Sequence, residues 1–347
     1  MRLDTPTQAV APRRVGAGSW VVAILVLVAI GVASLLIGSV ELPVAGVLGA
    51  LVDKLPLLSV DHGLTDTELR ILGEIRFPRV VMGAVVGAVL AVAGAGYQGV
   101  FRNPLADPYL LGVAAGAGLG ATLVIGLGAA TALIAPVAFV GGLAAVAITY
   151  ALSRTVGGRT TTSLILAGVA VAAFATAFQT FLLQRNYDTL RQVYAWILGR
   201  LGTVGWGDVV TLLPYAVVAS GVLLVLRRFL DVLALGDEES AALGVNVPRV
   251  RGLVVLAATL ATAAAVSVSG LIGFVGIIVP HAVRLLTGWS YRVIIPLSLV
   301  YGAAFLMLAD LFARTVVAPA ELPIGVVTAF LGAPFFLLVL RTMKGSS

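Results

Sequence analysis

The sequence predicts an all-α, polytopic membrane protein of about ten transmembrane helices. Of its 347 residues, 60% are hydrophobic and 11% are charged, whereas charged residues make up roughly 25% of a soluble domain. Apolar runs of about 17–25 residues, the length of a membrane-spanning helix, recur along the chain. They fall at residues 20–38, 80–98, 109–128, 131–152, 163–184, 209–226, 252–269, 271–286, 293–311 and 323–340.

The first run follows a basic amino terminus with Arg2, Arg13 and Arg14, an arrangement that also begins a signal peptide. The run at 20–38 is longer than the roughly 7–15-residue core of such a peptide. We therefore expect a retained first span, preceded by a tail at 1–19. Residues 20–341 then form one transmembrane domain, and 342–347 form a second tail.

An even number of spans places both termini on one side of the membrane. Alternation then assigns 14 of the 22 Lys and Arg residues to the side of the termini. The other eight lie opposite: Lys54, Arg70, Arg76, Arg79, Arg185, Arg191, Arg200 and Arg314. The positive-inside rule puts both termini in the cytoplasm, so the chain is predicted to be a multi-pass protein of the cell membrane.

Small residues mark close helix contacts in the second and third spans. Gly83 and Gly87 form one GxxxG pair, and Gly112, Gly116 and Gly120 form a double one. Such faces let membrane helices approach closely. The contact is predicted either inside one subunit or between two copies.

The loop RNPLADPYLLG at 102–112 interrupts two apolar runs. Pro104 and Pro108 each disfavour helix at the preceding residue, so Asn103 and Asp107 are predicted in a bent, non-helical stretch. A simple turn or a functional loop would both account for it.

The segment 227–251 contains one short acidic helix. Gly236 ends the preceding helix, Asp237, Glu238 and Glu239 favour a helix amino terminus, and Gly244 suits a carboxyl-terminal cap. The pattern is typical of a solvated surface helix or of a docking element for a cytoplasmic partner.

Glycines 270, 273 and 276 precede Pro280 and His281 in the eighth run. Gly and Pro are tolerated in membrane helices whose neighbours satisfy the backbone, so a short or broken helix is predicted. His281 makes either a structural hydrogen bond or a ligand contact.

Composition also argues against several classes of protein. The basic residues are scattered, which does not favour nucleic-acid binding, and cysteine is absent. The spans lack a buried acid near mid-membrane of the kind that an ion-coupled carrier keeps for coupling. A P-loop needs Gly-Lys-Ser/Thr, but Lys54 and Lys344 follow Asp53 and Met343. The chain is therefore not expected to be an enzyme.

Several segments together resemble the permease family of ABC importers for ferric siderophores, haem and vitamin B12. They are IRFPRVVMGAVVGAVLAVAGAGYQGVFRNPLADPYLLGVAAGAGLGA (75–121), ALGDEESAALGV (234–245), SGLIGFVGIIVPHAVRLLTG (269–288), ADLFAR (309–314) and ELPIGVVTAFLGAPFFLLVL (321–340). The resemblance implies a ten-helix permease that imports an iron chelate, a ferric siderophore or haem, by alternating access. Cobalamin is the alternative solute, and an ion-coupled carrier is the less favoured class.

The same resemblance implies the partners: a second permease copy, two cytoplasmic ATPases that carry ATP and Mg, and an outer substrate-binding protein. No cofactor or metal is expected in this chain, and its lipid contacts are those of a membrane protein.

The resemblance also assigns residues to roles. It implies ATPase coupling for Gly236, Asp237, Glu238, Glu239, Ala241, Leu243 and Gly244. Arginines at 76, 79 and 314 would dock the binding protein, or else anchor the helices at the interface. The cytoplasmic gate would comprise Asn103, Leu105, Thr161 and Thr162. Path-lining residues would be Thr176, Gln179 and Thr180, unless this polar face serves only helix contacts.

Overall fold

The computed structural model describes residues 16–38, 40–53, 62–156 and 161–344, and these form helices and connections without a β-strand. The first half contains α1 (Ala17–Leu36), α2 (Val44–Asp53), α3 (Asp66–Arg70), α4 (Phe77–Phe101), α5 (Val113–Gly126), α6 (Ile134–Val156) and α7 (Thr161–Arg185). The second half contains α8 (Leu190–Ile197), α9 (Trp206–Leu233), α10 (Asp237–Ala242), α11 (Val247–Ser269), α12 (Val275–Thr287), α13 (Tyr291–Thr315) and α14 (Ile324–Lys344). The predicted all-α class is confirmed. Residues 1–15 and 345–347 of the predicted tails lie outside the described residues.

Every predicted apolar run contains a helix, but the helices differ in length. Among the described residues, seven helical segments are long and apolar enough to cross a membrane, whereas α5 and α12 are shorter apolar helices. Both are short because non-helical segments precede them, at 102–107 and 270–274. Two helices before α4 were not predicted: α2 and α3, the latter joined to α4 by a π-helical turn at Ile71–Arg76.

Helix α4 is the centre of the fold and packs against α9, α11, α12 and α13. Glycines make these contacts close. A Cβ added at Gly87 would lie 2.2 Å from the carbonyl oxygen of Gly302 on α13. A Cβ at Gly94 would lie 2.1 Å from that of Gly276 on α12. The small-residue face of α4 is therefore used inside this chain.

Helices α5, α6 and α7 form a second packed group. A Cβ at Gly116 would lie 2.3 Å from the oxygen of Gly141 on α6, and one at Gly120 would lie 2.5 Å from that of Val137. This glycine pattern was predicted to serve a contact either inside one subunit or between two copies. In the structure it packs helices within one subunit.

The two interruptions of the apolar runs meet inside the fold. The hydroxyl of Tyr109, in a 3-10 turn at Pro108–Leu111, donates to the oxygen of Ile272 (2.9 Å) and accepts from its amide (3.0 Å). Pro108 lies beside Gly276, which also packs on Gly94. Non-helical backbone at membrane depth requires partners within the protein, and one phenol supplies them for Ile272.

Candidate functional site

The predicted acidic helix is present as α10, a six-residue helix at the end of the bundle that is predicted to be cytoplasmic. Gly236 precedes it with φ +134° and Gly244 follows with φ +81°, conformations that favour glycine. Ser240 is fully buried and its hydroxyl donates to the oxygen of Val232 (2.9 Å) at the end of α9. The helix is therefore fastened to α9 through one side chain.

The surface of α10 is open. Asp237, Glu238, Glu239 and Ala241 are exposed, and Leu243 is 64% exposed. An apolar residue next to three acids forms a surface that a protein partner can contact. Coupling through these residues stays a prediction.

Asp237 joins α10 to two other parts of the chain. Its Oδ1 lies 3.0 Å from Nη2 of Arg102 and 3.0 Å from Nη2 of Arg251. Arg102 ends α4 in a left-handed conformation, with φ +50°, and begins the loop 102–112. Arg251 lies near the start of α11. We call this three-residue contact the Asp237 link; no local sequence pattern indicates it, because its members are 135 and 14 residues from Asp237.

The loop of the predicted gate is bent as expected. The side-chain oxygen of Asn103 accepts from the amide of Leu105 (2.9 Å), and that of Asp107 accepts from the amide of Tyr109 (2.7 Å). Both contacts are local turns in which a short polar side chain replaces a backbone partner. Asn103 and Leu105 are half-buried.

The other predicted gate residues, Thr161 and Thr162, begin α7. Two turns further on, a Cβ added at Gly168 would lie 2.2 Å from the oxygen of Leu110. The loop 102–112 and α7 are therefore in direct backbone contact. A gate formed by these four residues stays a prediction.

The three polar residues of α7 divide between two environments. Thr176 and Thr180 are exposed, and the Thr180 hydroxyl donates to the oxygen of Thr176 (2.9 Å). Gln179 is buried and donates to the hydroxyl of Thr122 on α5 (2.9 Å). Gln179 therefore makes a helix contact, the alternative use of this polar face. Path lining by Thr176, Gln179 and Thr180 stays a prediction.

On the outer side, Arg79 is buried between two carboxylates. Its Nη2 lies 2.8 Å from Oδ1 of Asp310, and its Nη1 lies 2.8 Å from Oε1 of Glu321. The side chain of Asp310 is 4% exposed and that of Glu321 is 40% exposed. Glu321 therefore covers Arg79 from the solvent side. Sequence reasoning missed this acid, which is 242 residues from Arg79.

Arg76 and Arg314 both bind the end of α1. Nη1 of Arg76 donates to the oxygens of Leu35 (2.6 Å) and Leu36 (2.9 Å), and Nη2 of Arg314 donates to that of Ser34 (2.7 Å). Cations at a helix carboxyl terminus satisfy its free carbonyls and its dipole. Each arginine is 4% exposed, so neither is an interface anchor.

Docking of a binding protein on Arg76, Arg79 and Arg314 stays a prediction, and it requires existing contacts of these arginines to break. A partner carboxylate has to displace Glu321 or the end of α1 to reach them.

No group of three His, Asp or Glu side chains suited to a metal ion occurs in the described part of the chain. His281 packs against the ring of Phe335, with centroids 5.7 Å apart.

A family model described as the FecCD transport family matches residues 25–342. A cobalamin import system permease protein, BtuC, of Halobacterium salinarum is 45% identical over 283 residues, which cover 81% of this chain and 76% of that protein. The hemin transport system permease protein HmuU of Yersinia pestis is 42% identical over 79% of this chain and 84% of its own length. An Fe(3+)-citrate import system permease protein, YfmD, of Bacillus subtilis is 40% identical over 84% and 87% of the two chains.

A solved structure has the same overall fold. It is described as a metal-chelate type ABC transporter in an inward-facing conformation, and it superposes with a TM-score of 0.82 at 29% identity. The match covers 94% of this chain and all of the other. The likeness therefore extends over all the sites described above.

Proposed function

The chain belongs to the FecCD transport family and is an importer permease of the cell membrane, and from this premise we propose that it carries an iron chelate into the cytoplasm by ATP-driven alternating access. Two copies of the chain would enclose the path. Two ATPase subunits would bind the inner side, and a substrate-binding protein would deliver the chelate to the outer side. The energy for transport then comes from the ATPases, which carry ATP and Mg.

The observation that carries this mechanism is the Asp237 link. An ATPase that moves α10 also moves Asp237, whose carboxylate holds Arg102 at the start of the loop 102–112 and Arg251 on α11. The same loop packs on α7 through Leu110. A displacement of α10 can therefore reach both predicted halves of the gate, Asn103 with Leu105 and Thr161 with Thr162, through contiguous contacts.

On the outer side, Glu321 would be the first group that a docking protein meets. Its carboxylate binds the guanidinium of Arg79, and its side chain is 40% exposed. A carboxylate of the binding protein would compete with Glu321 for this guanidinium, whose two parallel N–H groups suit a carboxylate. Because Glu321 lies three residues before α14, its release would loosen the segment that leads into that helix.

The solute is proposed from the relatives. Permeases named for hemin and for Fe(3+)-citrate are 42% and 40% identical to this chain, and both names describe iron chelates. The cobalamin permease, at 45% identity, keeps cobalamin as the second candidate. These solutes are large, so exposed Thr176 and Thr180 would offer weak contacts along a wide path.

Uptake into proteoliposomes tests the proposal. The permease, its ATPase and its binding protein are reconstituted together, and uptake of haem, a ferric siderophore, ferric citrate and cobalamin is measured with and without ATP. We expect one iron chelate to accumulate only when ATP and the binding protein are present. Deleting residues 236–244 should abolish uptake while the permease remains folded.

Two results would contradict it. ATP-dependent uptake of cobalamin alone would replace the proposed solute. Uphill transport by the permease without the ATPase, driven by an ion gradient, would reject the mechanism itself.

A further inference from the structure

A cationic cavity lies at the inner end of the helix that leads to α10. It is open at the protein surface, has a volume of about 640 Å³ and is lined by α9, by Arg292 at the start of α13 and by Val245 ahead of α11. Three arginines line it, Arg227, Arg228 and Arg292, together with apolar side chains that include Val225 and Phe229. We call it the α9–α13 cavity. It is separate from the Asp237 link and from the predicted gate.

The positive charge of this cavity is balanced only in part. In the described part of the chain, Asp231 pairs with Arg292 at 3.3 Å, but its Oδ2 also accepts from the hydroxyl of Ser290 (2.9 Å). No ion pair between described residues includes Arg227 or Arg228. The Nε atom of Arg227 is buried, with no hydrogen-bond partner among the described residues. The cavity therefore has donors for an anion.

The position of the cavity across the membrane corresponds to the lipid headgroups of the inner leaflet. Arg227 follows Trp206, the first residue of α9, by 21 positions, a rise of about 32 Å. The hydrocarbon core of a bilayer is about 30 Å thick, and tryptophan is enriched at its boundary. With Trp206 at the outer boundary, Arg227 and Arg228 lie at the inner one.

The surface beside the arginines continues towards the outer end of α9 as an exposed apolar strip. Val225 is 73% exposed, and Val218, two turns closer to the outer end of the same helix, is 58% exposed. An exposed apolar strip on the hydrocarbon side of a group of arginines suits an acyl chain and its phosphate together. A free phosphate or a soluble anion would use the arginines but not the strip.

We propose that the α9–α13 cavity binds an anionic phospholipid of the inner leaflet. Its phosphate contacts Arg227, Arg228 and Arg292, and one acyl chain lies along Val225 and Val218. Basic pockets between helices on the cytoplasmic side are suited to anionic headgroups. The lipid would join α9 to α13 immediately before the segment that carries α10. This inference does not depend on which solute is transported.

The test uses the full-length permease purified in detergent. Retained lipid is identified by native mass spectrometry, and thermal unfolding is measured with added phosphatidylglycerol, phosphatidylcholine or inorganic phosphate. We expect phosphatidylglycerol alone to be retained and to raise the unfolding temperature. Each of R227Q, R228Q and R292Q should weaken retention about fivefold, and the triple variant about a hundredfold, because each basic residue near an anionic surface contributes about 1 kcal/mol.

Two matched variants keep the test decisive. R154Q removes an exposed arginine at the inner end of α6 and should retain phosphatidylglycerol like the original chain. R227K with R228K keeps the charge and should retain most of the binding, which separates a lost site from a lost fold. Equal effects of phosphatidylcholine, an equal effect of inorganic phosphate, or normal retention by the triple variant would each overturn the proposal.

Discussion

Ion pairs occur at both ends of this bundle, and their environments are opposite. On the outer side, Arg79 and Asp310 have side chains 10% and 4% exposed. On the inner side, Arg102 and Asp237 are 43% and 46% exposed. Charges withdrawn from water interact strongly and are costly to separate, whereas exposed pairs are screened and contribute little. The outer contacts therefore hold helices together, and the inner ones can exchange partners during transport.

Breaking the outer pair should have the largest effect on stability. Asp310 also lies 3.6 Å from Nε of Arg314, so D310A leaves Arg314 without an acid and Arg79 with Glu321 alone, which should lower the free energy of unfolding by about 3–5 kcal/mol. Denaturant unfolding in detergent, followed by tryptophan fluorescence, measures this. The double variant R79L with D310L also removes the guanidinium of Arg79 and should recover part of the loss, because Arg314 still lacks an acid. A loss under about 1 kcal/mol in D310A is the range of an exposed pair. It would mean that the ion pairs at the two ends contribute equally to stability and would contradict the comparison.

The contacts at the end of α1 come next. R76A leaves the carbonyls of Leu35 and Leu36 without a donor, and buried unpaired groups cost about 1–3 kcal/mol each. We expect faster hydrogen exchange in the last turn of α1 and a lower unfolding temperature. R70A, at an exposed arginine six residues earlier, is the control and should change neither. An unchanged rate of hydrogen exchange in R76A would indicate that other contacts hold the end of α1.

Breaking the Asp237 link should affect transport more than stability. D237N should change the free energy of unfolding by less than about 1 kcal/mol, because the carboxylate of Asp237 is 46% exposed in both of its ion pairs. Uptake per ATP hydrolysed by the assembled importer should nevertheless fall, since α10 would no longer hold Arg102. E238Q neutralises the adjacent exposed acid and separates loss of the link from loss of charge. If D237N and E238Q reduce coupling equally, the link has no special role.

The smallest expected effect concerns Glu321. E321Q weakens a half-exposed partner of Arg79, a change worth up to about fivefold in an equilibrium. Affinity for the binding protein should rise by at most that factor, because its carboxylate no longer competes with Glu321. Surface plasmon resonance with the permease in nanodiscs measures it. A decrease in affinity would mean that Glu321 itself contacts the partner.

The helices were largely predictable from sequence because the membrane imposes a long apolar run on each of them. The turns at Asn103 and Asp107 and the limits of α10 at Gly236 and Gly244 were predictable too, since these depend on neighbours in the chain. The short helices α2 and α3 were missed. Neither forms an apolar run of spanning length, which is the pattern by which a membrane helix is recognised in a sequence.

Contacts between distant residues were beyond such reasoning. Nothing local distinguishes an outer arginine that faces solvent from one that binds α1, and Arg76 lies 41 residues from Leu35. Gln179 illustrates the same limit, because a glutamine in an apolar helix suits a path or a helix contact equally. The contact with Thr122 on α5 is visible only in the folded chain.

The hydroxyl of Tyr109 also explains how a helix of this bundle can be so short. A membrane helix normally crosses the whole bilayer, because its first amides need water or another polar group. Here a phenol binds both the amide and the carbonyl of Ile272, three residues before the first residue of α12, so the non-helical segment ahead of this 13-residue helix has a polar partner inside the protein. Removing a single oxygen atom, as in Y109F, would leave these two buried groups without that partner, and the short helix would lose one of the contacts that permit it.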